Sequence, residues 1–342
     1  MKPKQKILVI RNDKLGDFML AWPALAQLRK NLPSAHITVL VPSYTAPLAE
    51  ECAYIDEVII DPRHKGDVRN GLALAKLLKP KKYDAVLTLF SRFDTGLGVW
   101  LAGIPQRYAP ATKLAQVFYN RRIHQRRSLS EKPEYEYNLE IVQKFLAQQG
   151  IANPKAVKPP YLAFKPKLIA ALEEKFRQAH KIPANKKLVF VHAGHGGSAT
   201  NLSLGHYARL IRTLATSRKL HFVLTAGPDE EEQAQRLASL LSKAPHTVFV
   251  SKNGLQDFAR HLQFCDVFIS GSTGPLHIAG ALDCCTVAFY PRRRSSTALR
   301  WQTVNSPERR MAFEPPDSRE ENDMQAIDLT LAAAMISKQY LL

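Results

Sequence analysis

Cysteine is scarce and scattered: the four present, Cys52, Cys265, Cys284 and Cys285, show no C-x-x-C spacing. That pattern argues against a disulfide scaffold and a cysteine metal site, and leads us to expect free thiols in a reducing compartment. Long hydrophobic runs are missing too. The apolar run Ile7–Ile10 stops at Arg11-Asn12-Asp13-Lys14, far short of a signal-peptide core. The longest nearly uncharged stretch, 267–290, is interrupted by Gly271, Gly274, Pro275, His277 and Asp283, which suits a strand-turn-helix-strand rather than a membrane span. Membrane contact is therefore expected to be peripheral. Several chemical signatures are also absent. The loop after the first strand has only Gly16, not G-x-G-x-x-G, which disfavours a nicotinamide enzyme. There is no G-x-x-x-x-G-K-[ST], H-E-x-x-H or G-x-S-x-G, and no Asp-x-Asp pair to hold a metal on a diphosphate. Metal-free chemistry without a cofactor is the expectation.

The 342 residues exceed what one hydrophobic core comfortably serves, so two domains are expected. A composition of 45% hydrophobic and 23% charged residues is that of a soluble globular chain. The formal net charge of +18 would attract nucleic acid, an anionic membrane or phosphorylated metabolites. No RRM or KH pattern supports nucleic acid, which is not an expected partner. Short apolar runs read as strands at Ile7–Ile10, His36–Val41, Glu57–Ile60 and Ala85–Leu89, separated by helically spaced residues such as Leu20, Leu25 and Leu28. This alternation predicts an α/β fold with parallel strands. Pro23 lies early enough in the helix after Asp17 to be tolerated. Prolines 154, 159 and 160 mark a linker, giving domains 1–160 and 161–342. The second half repeats the logic with strands at Leu188–His192, His221–Thr225, Thr247–Val250, Val267–Ser270 and Thr286–Phe289. Helical spacing over Met324–Leu342 predicts a terminal helix.

Two strand-to-helix turns, 6–17 and 268–277, carry most of the chemistry. Gly16-Asp17 puts a carboxylate at the mouth of a sheet, where Asp17 either caps a helix or takes part in reaction, and Asp13 competes for that role. Asn12 and Lys14 are read as shaping the turn. In the second half, 192–201 joins Gly194, Gly196 and Gly197 with Ser198 and Thr200 in what reads as a phosphate-binding loop, with an ordinary flexible loop as the alternative. His192 and His195 are open to a structural role. Ser272, Thr273 and Gly274 open a helix over Leu276–Leu282 whose free N–H groups suit a diphosphate, while His277 either meets a ligand or packs beneath the loop. The turn 225–229 is read first as architecture.

In order, I-L-V-I-R-x-D-x-L-G-D, W-P-A-L from Trp22, H-A-G-x-G-G-S-A, T-A-G-P-D and G-S-T-G-P-L-H-I-A-G-A-L make the chain resemble glycosyltransferase family 9, the ADP-heptose:lipopolysaccharide heptosyltransferases, over about residues 6–290. The resemblance implies a GT-B fold, two Rossmann-like doubly wound domains facing a central cleft, with the acceptor on the N-terminal domain and the nucleotide sugar on the C-terminal one. It also implies inverting, metal-independent transfer of heptose from ADP-heptose to the lipopolysaccharide inner core. Asp17 matches the proposed general base, Ser198 lies in the phosphate-contacting loop, and Thr273 and Gly274 match the residues at the donor phosphates. Two positions depart from the pattern: Ser272 stands where many members have Asp, and Thr200 is near where many have Lys. Arg292, Arg293 or Arg294 could replace the missing charge, or form a solvated loop. An aspartate of ordinary pKa near 4 is a weak base, so Asp17 would need burial.

Lys113, Arg121, Arg122, His124, Arg126 and Arg127 cluster around Phe118 and Tyr119. A lipid A–Kdo acceptor bears phosphates and carboxylates, so Arg121, Arg122 and Arg126, with Asp13, are candidate acceptor contacts, a solvated basic loop being the alternative. The implied location is cytoplasmic, peripheral at the inner face of the inner membrane.

Overall fold

Five residues with four consecutive apolar side chains, Lys6–Ile10 (β1), begin a sheet buried on both faces, as a parallel strand between two helical layers must be. The computed structural model describes residues 4–63, 66–112, 114–194, 200–217 and 219–341. The chain divides into two compact units, Met1–Tyr161 and Leu162–Leu342.

In the first unit β1 is flanked by β2 (His36–Val41), β3 (Glu57–Ile60), β4 (Ala85–Thr88), β5 (Gln106–Pro110) and β6 (Arg121–Ile123), all parallel, in the order β3-β2-β1-β4-β5-β6. Register is fixed by pairs such as Ile7 with Ile37 and with Ala85. Strand order reverses between β1 and β4, the point where an open α/β sheet parts its loops to receive a ligand. The helices are α1 (Leu15–Met19), α2 (Trp22–Asn31), α3 (Ala46–Ala49), α4 (Asp67–Leu78), α5 (Phe93–Leu101) and α6 (Glu134–Gln148). The stretch after Gly16 is thus two helices rather than one. Pro23 stands in the first turn of α2, where its missing N–H is harmless, and buried Trp22 meets Phe18 edge-on at 5.9 Å. Helices α4 and α5 pack backbone to backbone. A Cβ on Gly98 would come within 2.7 Å of Leu74 Cβ, and one on Gly71 within 2.9 Å of Leu97 Cδ2.

The second unit holds β7 (Lys187–His192), β8 (Leu220–Ala226), β9 (His246–Val250), β10 (Val267–Gly271), β11 (Thr286–Phe289) and β12 (Arg310–Phe313), again all parallel, ordered β12-β11-β10-β7-β8-β9. Its reversal falls between β7 and β10. Around the sheet lie α7 (Pro166–Ala179), α8 (Leu204–Leu214), α9 (Glu231–Ser239), α10 (Gly254–Leu262), α11 (Gly274–Ala281) and α12 (Leu329–Ile336). The single terminal helix expected over 324–342 is broken up. A 3-10 turn at Met324–Ala326 ends in extended Ile327, and the Asp328 carboxylate then caps α12 by accepting from the N–H groups of Thr330 and Leu331 at 2.9 and 3.0 Å. Leu329, Ala332 and Ile336 of α12 join the core with Leu210, Ile211 and Leu214 of α8.

All four cysteines are free thiols, Cys52 and Cys284 buried and the others half-buried. Burial pushes the Cys52 thiol up to about 12 and holds Cys285 above its ordinary value; Cys265 is raised by a hydrogen bond with Cys284 and by burial. Among the described residues no helix is long and apolar enough to cross a membrane.

Candidate active site

Where β1 ends, Arg11 turns its guanidinium inward and is almost wholly buried. A buried cation survives only if its donors are met, and here they are. Nε bonds Asp13 Oδ1 at 3.0 Å, Nη2 bonds Asp17 Oδ1 at 2.5 Å, and Nη1 reaches Glu134 Oε1 at 3.4 Å, Asn138 Oδ1 at 3.1 Å and the Leu89 carbonyl at 3.4 Å. Glu134 and Asn138 are one turn apart on α6, so both face the same point. Arg127 adds a second cation to Glu134 at 2.7 Å, and Asn138 Nδ2 donates to the Leu20 carbonyl at 3.0 Å, tying α6 to the end of α1. Burial lowers the pKa of Arg11, but Asp13, Asp17 and Glu134 more than offset this, so the guanidinium is held charged.

Asp17 is the third residue of α1, and its side chain does not cap that helix: Lys14 occupies the cap position with no side-chain bond. The capping reading therefore fails. The Asp17 side chain keeps 15% of its surface exposed while its carboxyl is pushed up to about 6, first by burial, then by Asp13 and Glu134, against the pull of Arg11. Asp13 is half-buried, held by the same guanidinium, and its carbonyl accepts from Tyr44 Oη at 3.3 Å. Asn12 is buried and donates to Asp61 Oδ2 at 2.7 Å, and Arg63 binds both Asp61 and the Asn12 carbonyl, so the loops after β1 and β3 are locked together. Arg11 sits inside a recognisable motif, but Glu134 and Asn138 lie 123 and 127 residues further on, and no local pattern connects them to it.

Arg121 and Arg122, candidate acceptor contacts, form the edge strand β6; Arg126 follows it, and all three are exposed. Arg122 Nε donates to the Tyr119 carbonyl at 3.0 Å. They lie at the opposite edge of the sheet from β3 and are not in the Arg11 cluster.

In the second unit the loops after β7 and β10 meet. Asn201 joins them: Nδ2 donates to the Ala193 carbonyl at 3.0 Å, and Oδ1 accepts from the Leu202 N–H at 2.8 Å and from Tyr207 Oη at 2.7 Å. Its side chain lies so close to Gly271 that a Cβ there would come within 2.4 Å of Oδ1, which requires glycine at the end of β10. Thr273 takes the cap position of α11 in extended conformation, yet its side chain makes no cap bond; its hydroxyl shares a hydrogen bond with Ser270 at 3.0 Å instead. The first-turn N–H groups of α11 are left without a side-chain cap, a ready anion site. Ser272 and Gly274 flank it, half-buried. Thr200 is exposed and, with Asn201, Ser203, Gln233 and Asp323, lines a cavity of about 440 Å³. Gly196, Gly197 and Ser198, with His195, lie outside the described residues.

The histidines resolve differently. His192 bridges β7 to β8, its Nδ1 3.1 Å from Thr225 Oγ1 and Nε2 3.5 Å from Glu230 Oε2. His277 is buried with its ring 6.5 Å from that of Trp301, its Nδ1 meets no hydrogen-bond partner among the described residues, and burial lowers its pKa to about 4. Of the three arginines after β11, Arg292 is engaged with Asp317 and the Arg319 carbonyl, whereas Arg293 and Arg294 are exposed. Glu230 carried no signal in the sequence reading; its carboxylate accepts from the Gly227 N–H at 3.3 Å and stands against Gly194.

Two six-stranded parallel sheets of Rossmann order, each with polar groups gathered at its reversal point, define an α/β protein of the GT-B class. The chain belongs to glycosyltransferase family 9, the heptosyltransferase family, whose model matches residues 71–313. A Haemophilus influenzae protein, whose name assigns it to the glycosyltransferases and gives no sugar, is 45% identical over 97% of this chain and 96% of its own length. Lipopolysaccharide heptosyltransferase 2 of Salmonella typhimurium is 24% identical, covering 83% of this chain and 82% of its own. Among solved structures, the Escherichia coli ADP-heptose LPS heptosyltransferase II superposes with a TM-score of 0.77 at 18% identity, covering 98% of both chains.

Proposed function

We propose that this glycosyltransferase moves a heptose from ADP-heptose to the inner core of lipopolysaccharide, with inversion and without a metal. The observation that carries the reading is the Asp17 carboxyl, pushed up to about 6 at the reversal point of the first sheet in a family 9 chain. The acceptor hydroxyl oxygen attacks the anomeric carbon and its proton passes to Asp17. The bond from that carbon to the diphosphate oxygen breaks, and ADP leaves with the electron pair. Donor phosphates are met by the uncapped N–H groups of α11 with Ser272, Thr273 and Gly274, together with Gly196, Gly197, Ser198 and Thr200. Among the described residues no group of His, Cys, Asp and Glu is arranged to hold a metal, and Asp13, Asp17 and Glu134 are all turned to Arg11. Arg121, Arg122 and Arg126 contact phosphates or carboxylates of a lipid A–Kdo type acceptor, and the enzyme works peripherally at the cytoplasmic face of the inner membrane.

A related glycosyltransferase using another nucleotide sugar is the second reading, favoured by Ser272 and by a 45%-identical relative whose name gives no sugar. A thermal-shift panel of ADP, UDP, GDP and NAD, followed by assay of nucleotide release from the matching sugars, separates the two. Selective stabilisation by ADP and ADP release from ADP-heptose are expected. Stabilisation by UDP or GDP alone would transfer the conclusion to the second reading.

A further inference from the structure

Helix α5 is apolar on two faces. Its glycines face inward: a Cβ on Gly96 would come within 2.8 Å of the Phe118 ring and one on Gly98 within 2.7 Å of Leu74. Val99 is buried in the core beside them, yet the two aromatic residues, Phe93 and Trp100, keep 39% and 50% of their surface exposed. A surface helix of a soluble domain ordinarily turns its largest apolar side chains inward. The rings of Phe93 and Trp100 both lean on Phe118, at 5.2 and 6.0 Å, and so join α5 to the 3-10 segment Leu114–Phe118. That segment presents Leu114 at 82% and Val117 at 64% exposure. Grouped apolar side chains of this size mark an interaction surface. Immediately after the segment, β6 and the turn beyond it expose Arg121, Arg122 and Arg126, none in an ion pair with a carboxylate among the described residues.

We propose that this face of the first unit, the aromatic stripe of α5 with Leu114 and Val117 rimmed by the β6 arginines, seats the protein on an anionic lipid bilayer. Apolar groups at a tip with cations beside them match the acyl boundary and phosphate layer of such a surface, where the two contributions add. A symmetric second copy would instead bring like-charged arginine rims together. The proposal rests on the reading that the acceptor is membrane-borne, and names the surface through which the enzyme reaches it.

Flotation of the full chain with phosphatidylglycerol/phosphatidylcholine vesicles, and with phosphatidylcholine alone, tests it. Wild type should float with the anionic vesicles and only weakly with the neutral ones. A Leu114→Asp/Val117→Asp variant should lose about tenfold or more in partitioning, while transfer to a water-soluble acceptor fragment stays unchanged. Leu114→Trp should bind more tightly. Wild-type flotation of the Asp variant, or no flotation of wild type, overturns the proposal, as does a wild-type dimer in sedimentation that the Asp variant turns into a monomer. Flotation as expected in a protein that releases nucleotide from no sugar supports this surface and overturns the transfer reading alone.

Discussion

At the residue scale, Asp17 is set between one cation and two competing anions. The Arg11 guanidinium lowers its pKa, whereas burial, Asp13 and Glu134 raise it, with a net rise to about 6. A general base acts deprotonated, so kcat/KM should fall in acid along a limb near pH 6. Glu134→Gln removes one of the raising charges and should move that limb toward lower pH with transfer retained. Asp17→Asn should abolish transfer while nucleotide binding, read by thermal shift, persists. Stability should respond in the opposite sense. The folded pKa exceeds that of an unfolded aspartate near 4, so the contribution of this group is greatest in acid and is lost as pH rises through 6. Asp17→Asn should therefore raise Tm relative to wild type above pH 6 and lose that advantage near pH 4; an unchanged difference across this range would show that Asp17 is not the perturbed group.

At the element scale, the joint between the loops after β7 and β10 depends on one side chain. Asn201→Ala would take away the side-chain acceptor of the buried Tyr207 hydroxyl and one of two donors to the Ala193 carbonyl, which keeps Gln233 Nε2 at 3.4 Å, at a cost of about 1–3 kcal/mol in stability. It should also weaken nucleotide binding, checked by calorimetry beside a melting curve. Replacing Arg121, Arg122 and Arg126 with Ser should raise the acceptor KM and leave the donor KM near its starting value; equal effects on both would remove β6 from the acceptor site. The elements differ in how visible they were beforehand. Central strands such as β1, β2 and β10 are buried on both sides and so are written mostly in apolar residues, with only a small polar side chain such as Thr38 or Ser270 among them. Strands β5, β6 and β12 lie toward sheet edges and read Gln-Arg-Tyr-Ala-Pro, Arg-Arg-Ile and Arg-Met-Ala-Phe, where solvent on one side removes the need for such a run. The same division runs through the candidate site. Asp17 and Thr273 stand in local motifs that the sequence displays; Glu134, Asn138 and Glu230 reach their partners through tertiary packing, which leaves no periodic trace.

At the scale of the whole molecule, the excess of 48 Lys and Arg over 30 Asp and Glu should steer encounter with the proposed anionic acceptor. Raising salt from 50 to 300 mM should lower kcat/KM for a phosphorylated acceptor several-fold, and by less for an acceptor stripped of phosphate. An equal loss for both would argue that the charge serves solubility alone.

Three of the native thiols are held in the protonated, weakly nucleophilic form: Cys52 is buried with its pKa pushed up to about 12, and Cys265 and Cys285 are both raised above the ordinary value, while Cys284 is buried. Maleimide reagents should consequently pass over them, and a cysteine introduced at exposed Leu114 would take a fluorophore almost alone. Mass spectrometry of maleimide-treated wild type beside Leu114→Cys checks this, and a silent wild type would serve as a background for spectroscopic reporters.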